Sequence, residues 1–314
     1  IGSSTLSAVA VERPSVSPEL ISGLPHTSEE ARQMTGHSIE DVVGCMHDVD
    51  DDGILSAFDA FGELSDKDKE VYDDKVLGRH QESVDKITLA FMKRFPEKYR
   101  REAEDYTYGA YHKQEMFLQH DSPAFLRAKL IEGKTDKPSV SMYLNPELTD
   151  AAAIYAEFLN KALEQKLRFK SKIIRANAKD NYSLHYKPEY LDKGVGKLDP
   201  IVIYGYEESK DDLLKIVEEI RQAHASSFEG RKIGGSPLEI AEGVGIGDEV
   251  SDSGESSLTS SRVGVAKNVL KELRDKNPNW SQASPEARKR AFAGSLRKRY
   301  ESLGYNPDNI AFNI

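Results

Sequence analysis

The stretch that decides the fold class of this chain reads Leu167-Arg168-Phe169-Lys170-Ser171-Lys172-Ile173-Ile174-Arg175-Ala176. Apolar and cationic side chains alternate along it, and a period of two predicts a β-strand with one buried face. The apolar side chains on the first face are Leu167, Phe169 and Ile173. The cations on the second face are Arg168, Lys170 and Lys172. Cations on one sheet face cost free energy unless they meet solvent or an anion, so a solvated outer face and an anion-binding face both stay open.

The segments around this strand alternate between short strand patterns and amphipathic helix patterns, which predicts an α+β domain over residues 122–314. We expect a mixed or antiparallel sheet with flanking helices. The further strand candidates are 124–131, 139–145 and 200–206. The helix candidates are 150–165 with Thr149 as its N-cap, 211–225, 260–275 and 285–303. The glycines within 234–247 predict a loop, and their spacing does not fit a dinucleotide-binding fingerprint.

The N-terminal part of the chain has a different texture. Residues 1–35 are rich in Ser and Pro and have no sustained period, so we expect a disordered segment similar to a secretion leader. Residues 36–121 form an acidic region that we expect to be mainly helical. The clearest helical period in that region runs over residues 73–94. Its expected inward positions are Val76, Ile87, Leu89, Ala90 and Phe91.

The composition excludes several kinds of protein. The formal net charge is -10 and 38% of the residues are hydrophobic, so we expect part of the chain to lie outside a core. Cys45 is the only cysteine, which excludes an internal disulfide and a cysteine-based zinc site. No run of about 18 apolar residues occurs, so we expect no membrane span. The first residues do not have the charged and apolar regions of a secretory signal peptide.

An acidic segment at residues 48–59 fits the spacing of an EF-hand calcium loop. The expected calcium ligands are Asp48, Asp50, Asp52, Asp59 and the carbonyl of Ile54. Gly53 takes the position of the sharp turn, and Asp59 stands where an EF-hand usually has a bidentate Glu. The alternative is an acidic surface turn, and a single loop without a partner would bind calcium weakly.

Two basic helices are predicted at the C-terminal end of the chain. Their cations are Arg274, Lys276, Arg288, Lys289, Arg290, Arg297, Lys298 and Arg299. A nucleic-acid interface would also need an electropositive surface, and base contacts often use aromatic side chains between the cations. The chain is acidic overall and no aromatic platform accompanies these helices. We therefore expect a solvated helix face and no nucleic-acid partner.

From about residue 200 onward the chain resembles the HopA (HopPsyA) family of type III secretion effectors. The similar segments are Ile201-Val202-Ile203-Tyr204 with the helix after it, Ser236-Pro237-Leu238 leading to Gly243-Val244-Gly245-Ile246, the Ser-rich approach 256–261 to Arg262, the helix 263–273, and the end 300–309. Upstream, Phe125-Leu126-Arg127 and Lys172-Ile173-Ile174 lie where the family has a strand arginine and a strand lysine. The resemblance covers residues 122–314, and the EF-hand-like segment lies outside it.

The resemblance implies an effector that a type III secretion system delivers into a host cell. It also implies a host protein or phosphopeptide as partner, and a secretion chaperone for the N-terminal region. HopA-like domains of lanthipeptide-type pathways are associated with the elimination of phosphate from phosphoserine or phosphothreonine, which requires no metal or organic cofactor. Such a lyase needs a neutral lysine as base and cations that hold the phosphate.

The resemblance and the charge pattern together indicate which residues would carry out this reaction. The candidate base is Lys172 and next Lys170, because a lysine crowded by other cations loses its proton more readily. His185 is a candidate acid by its chemistry. The candidate phosphate ligands are Arg127, Arg175 and Arg262. We expect Lys172, Arg127 and Arg262 to line one site, with Lys170 close by.

Two other functions stay open at this point. The chain could be a non-catalytic effector that keeps the fold and binds a host protein. It could also be a calcium-responsive binding protein built on residues 48–59. The lyase prediction depends on the convergence of Arg127, Lys172 and Arg262 on one site in three dimensions.

Overall fold

The computed structural model of the protein describes residues 24–59, 74–94, 114–119, 125–132, 137–175, 200–233, 236–249 and 258–313. The strands are β1 Gln114–Gln119, β2 Phe125–Glu132, β3 Val140–Leu144, β4 Phe169–Ile174, β5 Ile201–Gly205, β6 Leu238–Ala241 and β7 Val244–Asp248. The helices are α1 Ser28–Arg32, α2 Ile39–Cys45, α3 Asp51–Asp59, α4 Asp74–Arg94, α5 Leu148–Glu164, α6 Lys210–Ala223, α7 Ala225–Phe228, α8 Leu258–Lys276 and α9 Pro285–Ser302. A short 3-10 helix, Trp280–Gln282, precedes α9.

The strands form one open sheet in the order β1-β2-β4-β5-β3-β7-β6. Every neighbouring pair is antiparallel, so the predicted α+β class is confirmed. The strand that decided the prediction, β4, lies between β2 and β5. Lys170 is opposite Lys129 of β2 and Tyr204 of β5, which places these three side chains on the same face.

The other face of the sheet is covered by α4, α5 and α6 and holds the main core. The alternation read from the sequence is the reason, because it directs Phe169 and Ile173 into this layer. Phe158 of α5 meets Phe169 edge to face, with ring centroids 5.2 Å apart. Each fully buried side chain of this size contributes about 1.5–3 kcal/mol. Ser171, the polar member of the buried row, is satisfied by the Tyr155 hydroxyl at 2.9 Å.

The helix α5 begins earlier than predicted. Its first residue is Leu148, whose side chain is buried, and its N-cap is Glu147, whose side chain makes no capping hydrogen bond. The prediction of Thr149 as the N-cap is therefore wrong. Because Leu148 is buried in the core, the first helical turn begins two residues earlier than predicted. The backbone N–H of Glu147 donates to Ser227 O instead, at 2.7 Å.

Part of the segment predicted to be disordered packs on the main core. Leu24 and Ala31 are buried in the core, and Thr27 caps α1 by accepting a hydrogen bond from the Glu30 N–H at 3.1 Å. Arg32 pairs with the buried Asp248 at 2.7 Å. The prediction of disorder for residues 1–35 is thus wrong for residues 24–35, while residues 1–23 lie outside the described part of the chain.

The acidic region does not fold apart from the α+β domain. Helices α2 and α3 share a second core with α8 and α9, while α4 packs on α5 and β1 extends the sheet beside β2. The basic C-terminal helices pair with acidic residues of α2, α3 and the segment between them: Arg297 with Glu40 at 2.6 Å, Arg274 with Asp51 at 3.2 Å, and Arg288 with Asp48 at 3.0 Å. The predicted division at residue 121 is therefore not a boundary between packing units.

Two local predictions differ from the structure. The glycine-rich run 243–247 is a turn followed by a strand, with Gly243 at φ +64° between β6 and β7. Leu89 of α4, predicted to point inward, is 56% exposed, whereas Val84 and Ile87 are buried. The apolar stripe of α4 is shifted because Val84 and His80 occupy the inner face one and two turns before Ile87.

Among the residues that the structure describes, no helix combines the length and apolar character that a membrane crossing requires.

Candidate functional site

Four cations lie together on the second face of the sheet, away from the main core. Arg127 is directly opposite Lys172, and Lys129 is directly opposite Lys170, across the β2–β4 ladder. Directly opposite side chains on antiparallel strands have Cβ atoms about 5 Å apart. We call these four residues the cationic block. Arg127 is exposed and the three lysines are half-buried. Like charges placed this closely repel each other, and an anion bound between them would relieve that repulsion.

The ammonium of Lys172 lies near two aromatic rings. Its Nζ is 4.8 Å from the ring centroid of Phe125 and 5.8 Å from that of Tyr204. Phe125 precedes Arg127 on the same face of β2, and Tyr204 belongs to β5. The rings hold the lysine over the sheet between β2 and β5. A group bound by the cationic block would therefore contact Lys172.

A carboxyl lies near the two lysines of β4. Glu249 directly follows β7, its backbone N–H donates to Ser139 O at 3.0 Å, and the Ser141 hydroxyl donates to its Oε1. Burial raises the pKa of Glu249 to about 7, although the positive charges of Lys172, Arg262 and Lys170 each act to lower it. Glu249 is thus a carboxyl that can carry its proton near neutral pH.

Arg262, predicted as a phosphate ligand, is fully buried instead. Its Nε donates to Ile310 O at 3.1 Å, and its Nη2 donates to Phe312 O at 3.4 Å. The guanidinium stacks on the Tyr305 ring at 3.6 Å. The prediction is wrong for this residue, because the side chain is fully buried and its Nε and Nη2 donate to the C-terminal segment rather than to an exposed anion. It still acts on the site electrostatically, through Glu249.

Arg175, the third predicted phosphate ligand, lies away from the cationic block. Arg175 follows the end of β4, and its Nη2 is 3.4 Å from Asp85 Oδ1 of α4. Since α4 covers the core face, Arg175 does not join the cationic block. His185 lies outside the described residues. The structure therefore brings together Arg127, Lys170 and Lys172, adds Lys129, and leaves out Arg175 and Arg262.

The EF-hand-like segment has a different backbone from an EF-hand loop. Helix α3 begins at Asp51, so the loop positions from Asp51 to Asp59 are helical. Asp50 acts as the helix cap, accepting a hydrogen bond from the Gly53 N–H at 2.7 Å, and Asp48 pairs with Arg288. Ile54 is buried in the second core. Within the described residues no cluster of acidic, His or Cys side chains could hold a metal ion, and the side chain of Asp59 is not among them.

Sequence reasoning missed Lys129, Ser141, Tyr204 and Glu249. Lys129 has a signal in the sequence, because it alternates with Arg127 along β2. The acidic pair Asp248-Glu249 at the end of the glycine run is a weaker signal. The positions of Ser141 and Glu249 depend on the pairing of β3 with β7, which no local pattern encodes.

The arrangement can bind a multiply charged anion and transfer protons beside it. Lysine and arginine side chains at this spacing suit a phosphate group. A lysine among like charges can act as a base once it is neutral, and a carboxyl with a raised pKa can act as an acid.

No family model and no curated protein matches the chain. Among solved structures, the chain is similar to an effector protein from Pseudomonas syringae pv. syringae strain 61, with a TM-score of 0.50 and 12% sequence identity, over 88% of this chain and 95% of that one. An effector protein from Pseudomonas syringae pv. tomato strain DC3000 matches with a TM-score of 0.44 and 13% identity, over 91% of this chain and 93% of that one. The described part of the chain thus shares its α+β fold with the effector protein of strain 61.

Proposed function

We propose that the protein is a type III secreted effector that acts in a host cell as a phosphothreonine or phosphoserine lyase. The observation that carries the lyase is the cationic block, in which two pairs of cations face each other across β2 and β4. The effector role is supported by the likeness in fold to an effector protein and by the resemblance of residues 122–314 to the HopA family. A host phosphoprotein is the substrate, and a secretion chaperone for the N-terminal region belongs to the same proposal.

In this reaction the cationic block binds the phosphate of the substrate. Arg127 offers a planar pair of donors to two phosphate oxygens, and Lys129 and Lys170 add point charges. Lys172 acts as the base that removes the Cα proton, since its Nζ is held over the sheet beside Arg127 by the rings of Phe125 and Tyr204. The neighbouring positive charges favour the neutral form that a base needs, whereas the two rings favour the ammonium. Lys170 is the next candidate for this role.

Mass spectrometry of a phosphothreonine peptide incubated with the protein tests the proposal. Elimination leaves a dehydrated peptide about 98 mass units lighter, whereas hydrolysis leaves a hydroxyl and a loss of about 80. Lys172→Ala should reduce the rate at least about 100-fold, because it removes the base. The matched control is Lys215→Ala on α6, a lysine that is 58% exposed and pairs with Asp212. Its rate should equal that of the unmodified chain.

A non-catalytic effector that binds a phosphorylated host protein is the alternative. The same cations would hold the phosphate, and the peptide would be recovered at its original mass. Calorimetry with the phosphopeptide and its unphosphorylated form separates the two functions. Binding that depends on Arg127 without any dehydrated product favours the binding effector, and absence of both binding and product contradicts both functions. A calcium-responsive function receives no support from the helical conformation of residues 51–59.

A further inference from the structure

Glu249 is a half-buried carboxyl that directly follows β7. It extends β7 by one residue on the same face as Gly247, and it lies opposite Ser139 of β3. Ser141, two residues further along β3, donates its hydroxyl hydrogen to Glu249 Oε1. Because the backbone and the side chain of Glu249 are both tied to β3, the carboxyl has a defined position on the second face.

The register of the sheet relates this carboxyl to the cationic block. Ser141 is opposite Tyr204, and Tyr204 is opposite Lys170, so the three residues form one row across β3, β5 and β4. Strands are spaced about 4.8 Å apart, which places Ser141 and Lys170 about 10 Å apart at their Cα atoms. The hydrogen-bonded pair of Ser141 and Glu249 thus stands at one end of this row and Lys170 at the other, with Tyr204 between them.

The charges facing the carboxyl come from three elements. Lys172 and Lys170 approach from β4 and Arg262 from α8, while Asp248 adds a negative charge from β7 itself. The cations favour the carboxylate, and burial together with Asp248 favours the protonated acid. Tyr204 is the other ionisable side chain in the row, on β5. The carboxyl is therefore electrostatically coupled to both lysines that could serve as the base.

We propose that Glu249 is the general acid that protonates the leaving phosphate. This inference rests on the proposed lyase function and assigns the role for which His185 was a candidate from the sequence. The Nζ of neutral Lys172 takes the Cα proton, and the electrons of that C–H bond form the Cα–Cβ double bond. The Cβ–O bond breaks, its electron pair stays on the phosphate oxygen, and that oxygen takes the proton of Glu249. Transfer of a proton from the Lys172 ammonium to the Glu249 carboxylate through solvent restores both groups.

A purely structural role predicts different behaviour. If Glu249 only anchors the end of β7 to Ser141, its replacement lowers stability and lowers the rate equally at every pH. A general acid instead controls the alkaline side of the pH profile, because the rate falls when the acid loses its proton. The shape of the profile separates the two roles.

The experiment measures kcat between pH 5 and 9, by release of phosphate and by the mass of the dehydrated peptide. The unmodified chain should lose activity as Glu249 deprotonates. Glu249→Gln should be slower by about 100-fold at pH 6 and should no longer show that alkaline decline. Ser141→Ala keeps the carboxyl but removes a donor that favours the carboxylate, so its alkaline decline should move to higher pH. The matched control is Glu239→Gln on β6, a carboxylate on the same face that accepts a hydrogen bond from the Ile233 N–H.

Three results would overturn the inference. The first is a Glu249→Gln variant with an unchanged rate, and the second is a variant with a uniformly lower rate and the original pH profile. If Glu249→Gln does not fold, an unshifted profile in Ser141→Ala is the third. These outcomes leave the lyase function standing. Failure of the unmodified chain to form any dehydrated product is distinct, because it removes the lyase function and the inference together.

Discussion

Replacement of Arg262 by Met separates a structural arginine from a phosphate ligand. The side chain is fully buried, and Met has a similar length without charge or donors. The substitution leaves Ile310 O without its guanidinium donor at 3.1 Å and removes two longer hydrogen bonds, to Phe312 O and to Asn313 Oδ1. It also removes the stacking on Tyr305 at 3.6 Å.

The expected loss follows from these contacts. A hydrogen bond from a charged donor contributes about 1.5–3 kcal/mol, and a desolvated cation–π contact about 2 kcal/mol. The Met variant does not have the free-energy cost of burying a charged guanidinium, which offsets part of this sum. We therefore expect a net loss of about 3 kcal/mol in the free energy of unfolding. With an m-value of about 3 kcal/mol/M, the urea midpoint should fall by about 1 M.

The assay is urea unfolding followed by circular dichroism, with Arg274→Met as the control on the same helix. Arg274 is 43% exposed and pairs with the exposed Asp51, so its replacement should cost at most about 0.5 kcal/mol. Phosphopeptide binding measured under folding conditions should survive Arg262→Met. A variant as stable as the unmodified chain that has lost phosphopeptide binding would refute the structural assignment and restore Arg262 as a ligand.

Two further predictions concern single carboxyl groups. Burial raises the pKa of Glu249 to about 7, above its ordinary value of 4.5; its contribution to stability is therefore fully present below pH 4.5 and is lost as the pH rises through 7. The free energy of unfolding of Glu249→Gln, relative to that of the unmodified chain, should thus rise by up to about 3 kcal/mol from pH 4 to pH 8. A stability difference that is equal at both pH values would contradict this. Asp50→Ala should lose about 1 kcal/mol, with or without calcium, because Asp50 caps α3. Calorimetry on the unmodified chain and on Asp50→Ala, with and without calcium, checks this prediction. Calcium binding that is present in the unmodified chain and absent in Asp50→Ala would favour the EF-hand prediction instead.

Several features of the fold could be predicted because their signal is local. The alternation of Phe169, Ser171 and Ile173 with Lys170 and Lys172 predicted both the strand and its two faces. The helix α6 was predicted from its apolar stripe within one residue at its start and two at its end. Periodicity is sufficient in such cases, because each side chain is directed by the geometry of its own element.

The glycine run and the charged residues show where local signals end. The glycine run predicts a loop where the structure has the strand β7, because glycines have no side chains whose period would indicate a strand. Lys172 and Arg262 are both cations, yet Lys172 is half-buried on the second face of the sheet and Arg262 is fully buried among backbone carbonyls. Residue type indicates a charge but not its surroundings, and the surroundings of Arg262 come from residues 310–313, far along the chain.

The sequence by itself determined the α+β class, the cationic face of β4, and lysine and arginine as the residue types that a phosphate site would use. Only the tertiary structure decided that Arg127 and Lys129 stand opposite Lys172 and Lys170, that Arg175 lies on the core side, and that Glu249 is held by Ser141 on the same face as the lysines. The physical reason is that register and strand order are set by long-range packing. A one-residue shift in the pairing of β2 with β4 would send every side chain of one strand to the opposite face.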